Sequence, residues 1–310
     1  MLELLEALLA STLDAAPPLV IAALGATLSE RAGVVNVAVE GMMRAGAFVG
    51  AVAAVAMPTP LAVGVAMLAG AAVGLLHGWL SVRWRSDQVV SGMALNLVML
   101  ALGTFLLEAL FSPNGTTPIT QLPRIVLPGL DSIPLLRALS RHTALTWIAL
   151  ALPFAIHFLI HRTAYGLRLR AVGEKPQAIA AVGVSVWKLR LSAVLLSGAL
   201  AGLGGAALSC ATLDRFEHHM PAGLGFMAVA AMVFGRWTPL GAAGAATFFA
   251  FGNALRIGLA SSAPSVNEVV PPGVLLALPY ALTLVLLAWR GGAGTSAPAA
   301  LGAPYDPELR

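Results

Sequence analysis

An acid and a base lie four residues apart inside a segment that is otherwise apolar. Glu40 and Arg44 occupy these positions within residues 37–55, a stretch rich in Val, Ala, Gly and Met. Residues at this spacing share one face of a helix, so the two side chains can pair. Ionisable groups at membrane depth are costly and commonly mark a transport pathway. Two interpretations therefore stay open: a self-neutralising structural pair, or a polar contact for a solute.

Amide side chains mark further apolar segments. Asn36 opens the segment just described, where it can cap the helix or, if the helix begins inside the membrane, face a pathway. Gln88 and Asn96 lie eight residues apart, on loosely the same side of one helix, and Asn253 lies in a later helix. Amides of this kind suit contacts with a neutral polar solute.

Several kinds of chemistry have no candidate residues in this sequence. No series of Asp, Glu and His follows the apolar segments, which argues against a proton relay, and Cys210 is the only cysteine. No arrangement resembles a catalytic triad or a metal site. The sequence also lacks the GxxxxGK[ST] loop that binds nucleotide phosphates. We therefore predict no catalytic residue, no metal and no cofactor in this chain, and any ATP with Mg²⁺ must bind another polypeptide.

The polar residues are positioned by apolar segments of bilayer-spanning length. The 310 residues are 58% hydrophobic and only 10% charged, whereas a soluble domain carries roughly 25% charged residues. Only helices and closed barrels satisfy the backbone in lipid, so we predict an all-α, polytopic transmembrane helical bundle of about 8–10 helices. The predicted spans are residues 15–27, 37–55, 61–82, 88–110, 143–160, 191–213, 223–235, 239–254 and 271–289.

Two of the predicted spans, the first and the seventh, are short and end at polar breaks. We expect discontinuous helices near residues 29–37 and 235–239, each break being followed by a helix rich in small residues. Short interrupted segments in corresponding positions of two halves are typical of a transporter substrate site. Ordinary short loops between helices would give the same pattern.

Basic residues set the predicted orientation. The loops richest in Lys and Arg belong on the cytoplasmic side, which leaves the N-terminus outside and the C-terminus in the cytoplasm. The acidic start of the chain is predicted to form an amphipathic surface helix. Residues 112–142 form an outer loop with one short helix near residues 133–139. Residues 1–290 are predicted to form one transmembrane domain, and residues 291–310, rich in Ala, Gly and Pro, a disordered cytoplasmic tail.

A long polar interruption separates two apolar segments at residues 166–190. It contains five basic residues, one acid (Glu174) and a weakly amphipathic helix predicted over residues 176–184. A solvated linker would have this composition. So would a docking surface that receives force from a soluble partner.

Four stretches of the sequence read ERAGVVNVAVEGMMRAGAF (residues 30–48), VRWRSDQVVSGMALNLVMLALGTFLL (82–107), GLRLRAVGEKPQAIAAVGVSVWKLR (166–190) and GLGFMAVAAMVFGRWTPLGA (223–242). Together they resemble the permease subunits of bacterial ABC importers for nucleosides, within a wider family that also serves ribose, other simple sugars and branched-chain amino acids. The stretches occur in the family's order. Val37, Ala38 and Val39 depart from the usual Ile-Gly-Leu of the first stretch.

The resemblance implies partners, a location and residue roles. Such permeases lie in the bacterial cytoplasmic (inner) membrane and work with a second homologous permease, a cytoplasmic ABC ATPase and an extracytoplasmic substrate-binding lipoprotein. They do not bind nucleic acid. The polar interruption would contain a coupling helix for the ATPase, with Arg168, Arg170, Gly173, Glu174, Lys175 and Pro176 as its predicted residues. The predicted pathway residues, suited to a neutral ring-bearing solute, are Asn36, Glu40, Gln88, Asn96, Phe226 and Asn253.

The predicted function is therefore that of a permease subunit in an ATP-driven nucleoside importer, which forms the pathway with a second permease and is not itself an enzyme. One alternative keeps this machinery and changes the solute to ribose or another simple sugar. Another alternative is a stand-alone secondary facilitator, against which the missing proton relay and the long basic segment argue. A membrane-embedded enzyme is disfavoured because no nucleophile–base or metal arrangement is present.

Overall fold

Ten α-helices and one small sheet make up the part of the chain that the computed structural model describes, which is residues 2–111, 115–129, 136–262 and 297–306. Strands β1 (Arg124–Val126) and β2 (Arg141–Thr143) pair antiparallel. Short π-helical turns extend α3 over Trp79–Arg83 and α8 over Ala207–Thr212. The helices are α1 (Leu2–Arg31), α2 (Val39–Ala56), α3 (Thr59–Gly78), α4 (Gln88–Leu110), α5 (Ala144–Arg162), α6 (Ala164–Glu174), α7 (Pro176–Ala181), α8 (Val186–Ala206), α9 (Leu224–Phe234) and α10 (Pro239–Ser262).

Within the described ranges, six helices are long and apolar enough to cross a membrane, and they confirm the predicted all-α polytopic bundle. Helix α9 is apolar but has only 11 residues. At 1.5 Å per residue it covers roughly half of a hydrocarbon core. The predicted span at residues 271–289 lies outside the described residues. The six are Leu5–Arg31, Val39–Ala56, Thr59–Arg83, Gln88–Leu110, Ala144–Arg162 and Val186–Thr212.

Helix α1 differs from the sequence prediction. The sequence predicts a surface helix and then a short span at residues 15–27, but α1 is one continuous helix of 30 residues. Pro17 and Pro18 lie inside it, and each removes a backbone donor. Residues 16–30 are buried against neighbouring helices that include α8, α9 and α10. This packing holds the helix through the proline pair, as it does in other membrane helices that contain proline.

Helix α8 lies at the centre of the bundle and packs against α1, α2 and α3. Small residues allow the close contact: a Cβ atom added to Gly70 of α3 would lie 2.6 Å from the Cα of Gly202 in α8. Close approach of small residues drives helix association in lipid. Helix α4, in contrast, exposes a long apolar face that includes Leu97 and Phe105.

The segment between α4 and α5 is tied to α1 by a histidine. Nδ1 of His142 on β2 lies 2.8 Å from a carboxylate oxygen of Asp14, and Nε2 lies 2.5 Å from the carbonyl oxygen of Ala138. The hydrogen bond to Asp14 raises the pKa of the His142 imidazole. The helix predicted near residues 133–139 is a 3₁₀ turn at Leu136–Leu139, preceded by residues outside the described ranges.

The polar interruption is helical along much of its length. Helices α6 and α7 meet at Lys175, and α6 packs against α5 and α8. The helix predicted over residues 176–184 ends at Ala181.

The tail predicted to be disordered spans residues 291–310, of which residues 291–296 and 307–310 lie outside the described ranges. Residues 297–306, which we call the C-terminal strap, differ from that prediction. They form a turn that packs against α6, α8 and the residues that follow α1. Backbone hydrogen bonds hold this segment in place, and amino-acid composition does not predict them.

Candidate functional site

Break 1, residues 32–38, separates α1 from α2. The backbone N–H of Gly33 donates to the carbonyl of Glu30 (2.9 Å), and that of Val34 donates to the carbonyl of Ser29 (3.2 Å). These two bonds form the Schellman motif that ends many helices. Gly33 has a φ of +84°, which glycine adopts without steric cost. The α1 helix therefore ends because of its own local geometry.

Break 2, residues 235–238, ends α9 with the same motif. The N–H groups of Arg236 and Trp237 donate to carbonyls in the last turn of α9, at 2.9 and 3.1 Å. Their φ values are +56° and +54°. Left-handed backbone costs a non-glycine residue about 1–2 kcal/mol, so break 2 stores strain that break 1 avoids.

Break 2 also starts the following helix from its own residues. The Oγ1 of Thr238 accepts a hydrogen bond from the N–H of Gly241 at 3.2 Å. Pro239 occupies the first position of α10. A threonine cap followed by proline is a favourable helix start, so the turn is completed within a few residues.

The two breaks meet at one end of the bundle. The indole Nε1 of Trp237 donates to Oε2 of Glu30 at 2.6 Å, and Nε of Arg31 donates to the carbonyl of Trp237 at 2.6 Å. Glu30 and Trp237 are both buried. The sequence reasoning missed this contact. The sequence does contain a hint of it: Trp237, whose indole has a single N–H donor, lies at one break, and the carboxylate of Glu30 lies next to the other.

Two predicted pathway residues bind the backbone around break 1. Oε1 of Gln88 accepts from the N–H of Val35 at 2.7 Å. Oδ1 of Asn96 accepts from the N–H of Gly41 at 2.8 Å, and its Nδ2 donates to the carbonyl of Val37 at 2.9 Å. Non-helical backbone within a membrane must find partners inside the protein. The two amides from α4 provide them.

Asn36 is fully buried between break 1 and α8. Its Nδ2 donates to Oγ of Ser197 at 2.8 Å. The expectation that Asn36 caps α2 is wrong, because α2 begins at Val39 and has no side-chain cap. Val37 and Ala38 form a turn between Asn36 and the helix, and the Asn36 amide holds break 1 against α8 instead.

Glu40 caps a helix other than its own. Oε1 accepts from the N–H of Gly223 at 2.8 Å, and Oε2 accepts from the N–H of Gly225 at 2.7 Å. These are among the N–H groups at the start of α9 that have no partner within the helix. A carboxylate is also favourable at the positive end of the helix dipole. Glu40 therefore fixes where the short helix begins.

Arg44 binds the loop that precedes α9. Its guanidinium donates to the carbonyl oxygens of Met220 (2.5 Å) and His218 (2.8 Å) and to Oγ1 of Thr104 (3.1 Å). Glu40 and Arg44 do not form a direct hydrogen-bonded pair among the described residues. Each side chain instead binds the segment at the start of α9. Together they hold the segment before α9 from two sides.

Helix α9 has one face that the rest of the described chain leaves open. Phe226 is 43% exposed and Val233 is 42% exposed, with Val229 half-buried between them. These positions follow the i, i+3, i+7 spacing of one helix face. Phe226 thus lies on an open face directly after the glycines that Glu40 binds.

Asn253 lies apart from the other predicted pathway residues. It lines a cavity of about 510 Å³ between α1, α8, α9 and α10, together with Pro18, Met227 and Arg256. The guanidinium of Arg256 donates to Oδ1 of Asn253 at 3.0 Å. The six predicted pathway residues are therefore not lined up in one described cavity: four support the broken helices, and two face open space.

The predicted coupling residues divide into an outer and an inner set. Arg168, Glu174 and Lys175 are exposed. Gly173 and Pro176 are buried, and a Cβ atom at Gly173 would collide with backbone at the end of α1. The remaining residue of the set, Arg170, is half-buried and donates to the carbonyl of Ile160 at 3.2 Å. The turn between α6 and α7 thus has an exposed charged side and a buried side that contacts break 1.

Chemically, the site holds and orients helices. Among the described residues, no group of three or more His, Cys, Asp or Glu side chains could bind a metal ion. The polar side chains at the breaks bind backbone groups, and the open positions carry an aromatic ring and an amide. A helical bundle with two interrupted helices that meet at one end has the architecture of a membrane transporter.

Comparison with known proteins identifies the family. Residues 8–279 match the family of the permease component of the branched-chain amino acid transport system, and the chain belongs to this family. It is a multi-pass transmembrane transport subunit.

Three relatives cover nearly the whole chain. The chain is 38% identical to the guanosine ABC transporter permease protein NupQ of Bacillus subtilis (strain 168), over 98% of this chain and 97% of that protein. It is 34% identical to the nucleoside ABC transporter permease protein NupC of Lactococcus lactis subsp. cremoris, over 97% of each. It is 33% identical to a putative glucose ABC transporter permease protein, TsgC13, of Haloferax volcanii, over 97% and 98%.

Proposed function

We propose that this chain is the transmembrane permease subunit of an ATP-driven nucleoside importer. The observation that carries the proposal is the 38% identity to a guanosine permease over almost the full length of both chains. Three features of the structure support the proposal, because each has a role in an importer: the helix breaks, the capped start of α9 and the polar α6–α7 turn. The transported solute would be neutral, polar and ring-bearing.

The pathway runs along the open face of α9. Glu40 binds the glycines at the start of this helix, Arg44 binds the loop before it, and Phe226 directly follows those glycines. An exposed aromatic ring can stack on a nucleobase, a contact worth about 1–3 kcal/mol per base. Asn253 offers hydrogen bonds in the neighbouring cavity. A second, homologous permease would face α9 from the other side and close the pathway.

The α6–α7 turn is the docking surface for a separate ATPase. Arg168, Glu174 and Lys175 form its exposed charged part, next to the exposed apolar side chains of Leu167 and Val182. Mixed charged and apolar surface suits a protein partner. This turn lies in the cytoplasm with the C-terminus, the N-terminus lies outside, and the protein resides in the bacterial inner membrane. A substrate-binding lipoprotein would deliver the solute from the outer side.

A second candidate solute is a sugar. The 33% identity to a putative glucose permease covers almost the whole chain, and the same machinery would serve. A sugar has no aromatic face and would gain less from Phe226 than a nucleoside would. Competition between nucleosides and sugars therefore separates the two candidates.

The test is uptake of labelled guanosine by proteoliposomes that contain the complete assembly. We expect uptake that requires ATP and that is inhibited by other nucleosides but not by glucose or ribose. Phe226→Ala should reduce uptake by about 5- to 150-fold, the equivalent of the stacking energy. Phe105→Ala, which removes a ring that is 65% exposed on α4 (Phe226 is 43% exposed), is the control and should leave uptake unchanged.

Three results would contradict parts of this proposal. Inhibition by sugars alone would assign the sugar function. Uptake by vesicles that contain only this chain, without ATP, would indicate a stand-alone facilitator. Equal effects of the two phenylalanine substitutions would remove Phe226 from the pathway.

A further inference from the structure

The C-terminal strap is bound to the end of α6. The N–H of Ala300 donates to the carbonyl of Gly173 at 2.8 Å, and the N–H of Ala299 donates to Oε2 of Glu174 at 3.2 Å. Pro298 lies against the same glycine. The strap therefore binds the α6–α7 turn at residues next to the exposed charged surface of that turn.

The same short segment is bound to break 1. The N–H of Gly302 donates to the carbonyl of Gly33 at 3.2 Å, and Gly302 faces the side chain of Val35. One turn of the strap thus joins the α6–α7 turn to Gly33 in break 1. Ala300, in the middle of this turn, is 8% exposed.

A buried arginine fixes the strap from the side of α8. Arg190 is 1% exposed, and its guanidinium donates to the carbonyls of Ala303 (2.8 Å) and Ala300 (3.4 Å). Removing a guanidinium from water is costly unless its donors are used. That cost is offset here by strap carbonyls, so the position of the strap and the burial of Arg190 depend on each other.

A fourth contact anchors the end of the strap. The carboxylate of Asp306 accepts hydrogen bonds from both terminal guanidinium nitrogens of Arg85, at 2.9 and 3.3 Å. This pair is partly exposed, so it adds little to stability. It does place the last described residue of the strap beside the turn that leads into α4.

We propose that the C-terminal strap is a coupling element that makes the α6–α7 turn and break 1 move as one body during transport. The proposal rests on the proposed function, because it assumes that a partner ATPase displaces the α6–α7 turn. Displacement of that turn would pass through the strap to Gly33, and from break 1 through Glu30 to Trp237 and the end of α9. The strap stays bound throughout the cycle.

The buried backbone hydrogen bonds favour a strap that stays bound over a strap that is released during transport. Release of the strap would leave the Arg190 guanidinium without its two carbonyl acceptors and the carbonyls of Gly33 and Gly173 without these donors. A removable segment would be held mainly by exposed side-chain contacts. Two described contacts of the strap have that character, the Arg85–Asp306 pair and the hydrogen bond from the N–H of Ala299 to Glu174. The Arg85–Asp306 pair is the one to use for a cross-link.

The first experiment removes the strap from the complete assembly. A chain that ends after residue 296 is compared with a matched control that ends after Asp306 and keeps the strap. We expect the shorter chain to retain ATP hydrolysis and to lose substrate transported per ATP by about 5- to 150-fold, the range of typical coupling free energies. Arg190→Met, in the full-length chain, should shift the same ratio in the same direction if truncation prevents assembly. A normal ratio in an assembled variant of either kind would overturn the proposal.

The second experiment locks the strap in place. Arg85→Cys and Asp306→Cys are combined and joined with a short reducible thiol cross-linker, while the native Cys210 is buried. We expect uptake to continue after cross-linking. Loss of uptake that is restored by reduction would show that the strap must leave, which contradicts a strap that stays bound.

A third measurement separates this proposal from the proposed function. Absence of ATP-dependent uptake in the wild-type assembly would contradict the importer. In that case, thiol labelling of an Ala300→Cys variant still tests the strap. Slow labelling would support a permanently docked strap, and labelling as fast as that of an exposed control, Ala178→Cys on α7, would overturn it.

Discussion

Break 1 and break 2 end their helices with the same pair of backbone hydrogen bonds, yet they are supported in opposite ways. The backbone of break 1 is bound at Val35 and Val37 by side chains of α4, Gln88 and Asn96, and Asn96 also binds the N–H of Gly41 at the start of α2. Break 2 is followed at once by α10, which Thr238 and Pro239 start locally. Glycine supplies the left-handed residue in the first case, and arginine supplies it in the second.

The difference assigns different mechanical roles to the two breaks. Break 1 depends on α4, α8 and the C-terminal strap, so a movement of any of them changes its shape. Break 2 is a self-contained corner whose shape is set by its own residues. The Glu30–Trp237 hydrogen bond joins the adaptable break to the stiff one. In the proposed coupling, a displacement that begins at break 1 would move the end of α9 with it.

The largest expected effect comes from removing remote support. Asn96→Leu leaves the N–H of Gly41 and the carbonyl of Val37 without these partners, at a cost of about 1–3 kcal/mol for each group. Thr238→Val removes only a local helix cap, at about 0.5–2 kcal/mol. We expect the melting temperature in detergent to fall clearly more for Asn96→Leu. Equal losses would contradict the contrast between remote and local support.

A smaller effect should separate the left-handed residues of the two breaks. Ala is compared with Gly at both sites, by Gly33→Ala against wild type and by Arg236→Ala against Arg236→Gly. The left-handed penalty of about 1–2 kcal/mol applies at both positions. At residue 33, the added Cβ would also lie 2.9 Å from Nη2 of Arg190 and 3.1 Å from the carbonyl of Ala300.

The stability difference between Ala and Gly should therefore be larger at residue 33 than at residue 236. Chemical denaturation of the purified protein in detergent measures both differences. The Arg236 pair is internally matched, because both variants lose the same side chain. If the two differences were equal, the surroundings of Gly33 would contribute nothing, and break 1 would be as self-contained as break 2.

The sequence predicts what depends on composition and local backbone. Long apolar segments predict the membrane helices, and polar residues beside glycine predict both breaks, because a Schellman end is a local feature. The start of α1 is mispredicted because its acidic residues suggest a surface helix separate from the first span. Packing against neighbouring helices overrides that signal.

The sequence does not predict contacts between distant residues. Glu40 and Arg44 are four residues apart, which favours a pair, but their backbone partners lie more than 170 positions later in the chain. The composition of residues 297–306 predicts disorder, whereas backbone hydrogen bonds to Gly33 and Gly173 position them. Such bonds carry no residue-type signal, so no pattern in a single sequence reports them.

The smallest expected effect tests whether the far end of α1 is independent of the breaks. Both ring nitrogens of His142 face oxygen acceptors, one on Asp14 and one on Ala138. Both must donate, so the geometry requires the protonated imidazolium. Arg124, which also contacts Asp14, opposes this charge, but the hydrogen bond to Asp14 is the larger influence and raises the pKa of His142 above 6.5.

A raised pKa fixes the sign of the pH dependence. The stabilisation is fully present below pH 6.5, the ordinary histidine value, and is lost as the pH rises through the raised pKa of the folded state. Because Asp14 is partly exposed, we expect about 0–1 kcal/mol in total. The melting temperature of wild type relative to His142→Gln should fall with rising pH in this window. The same pH dependence should persist in the Asn96→Leu background, because separated sites contribute additively; its disappearance there would mean that α1 transmits changes from break 1 along its whole length.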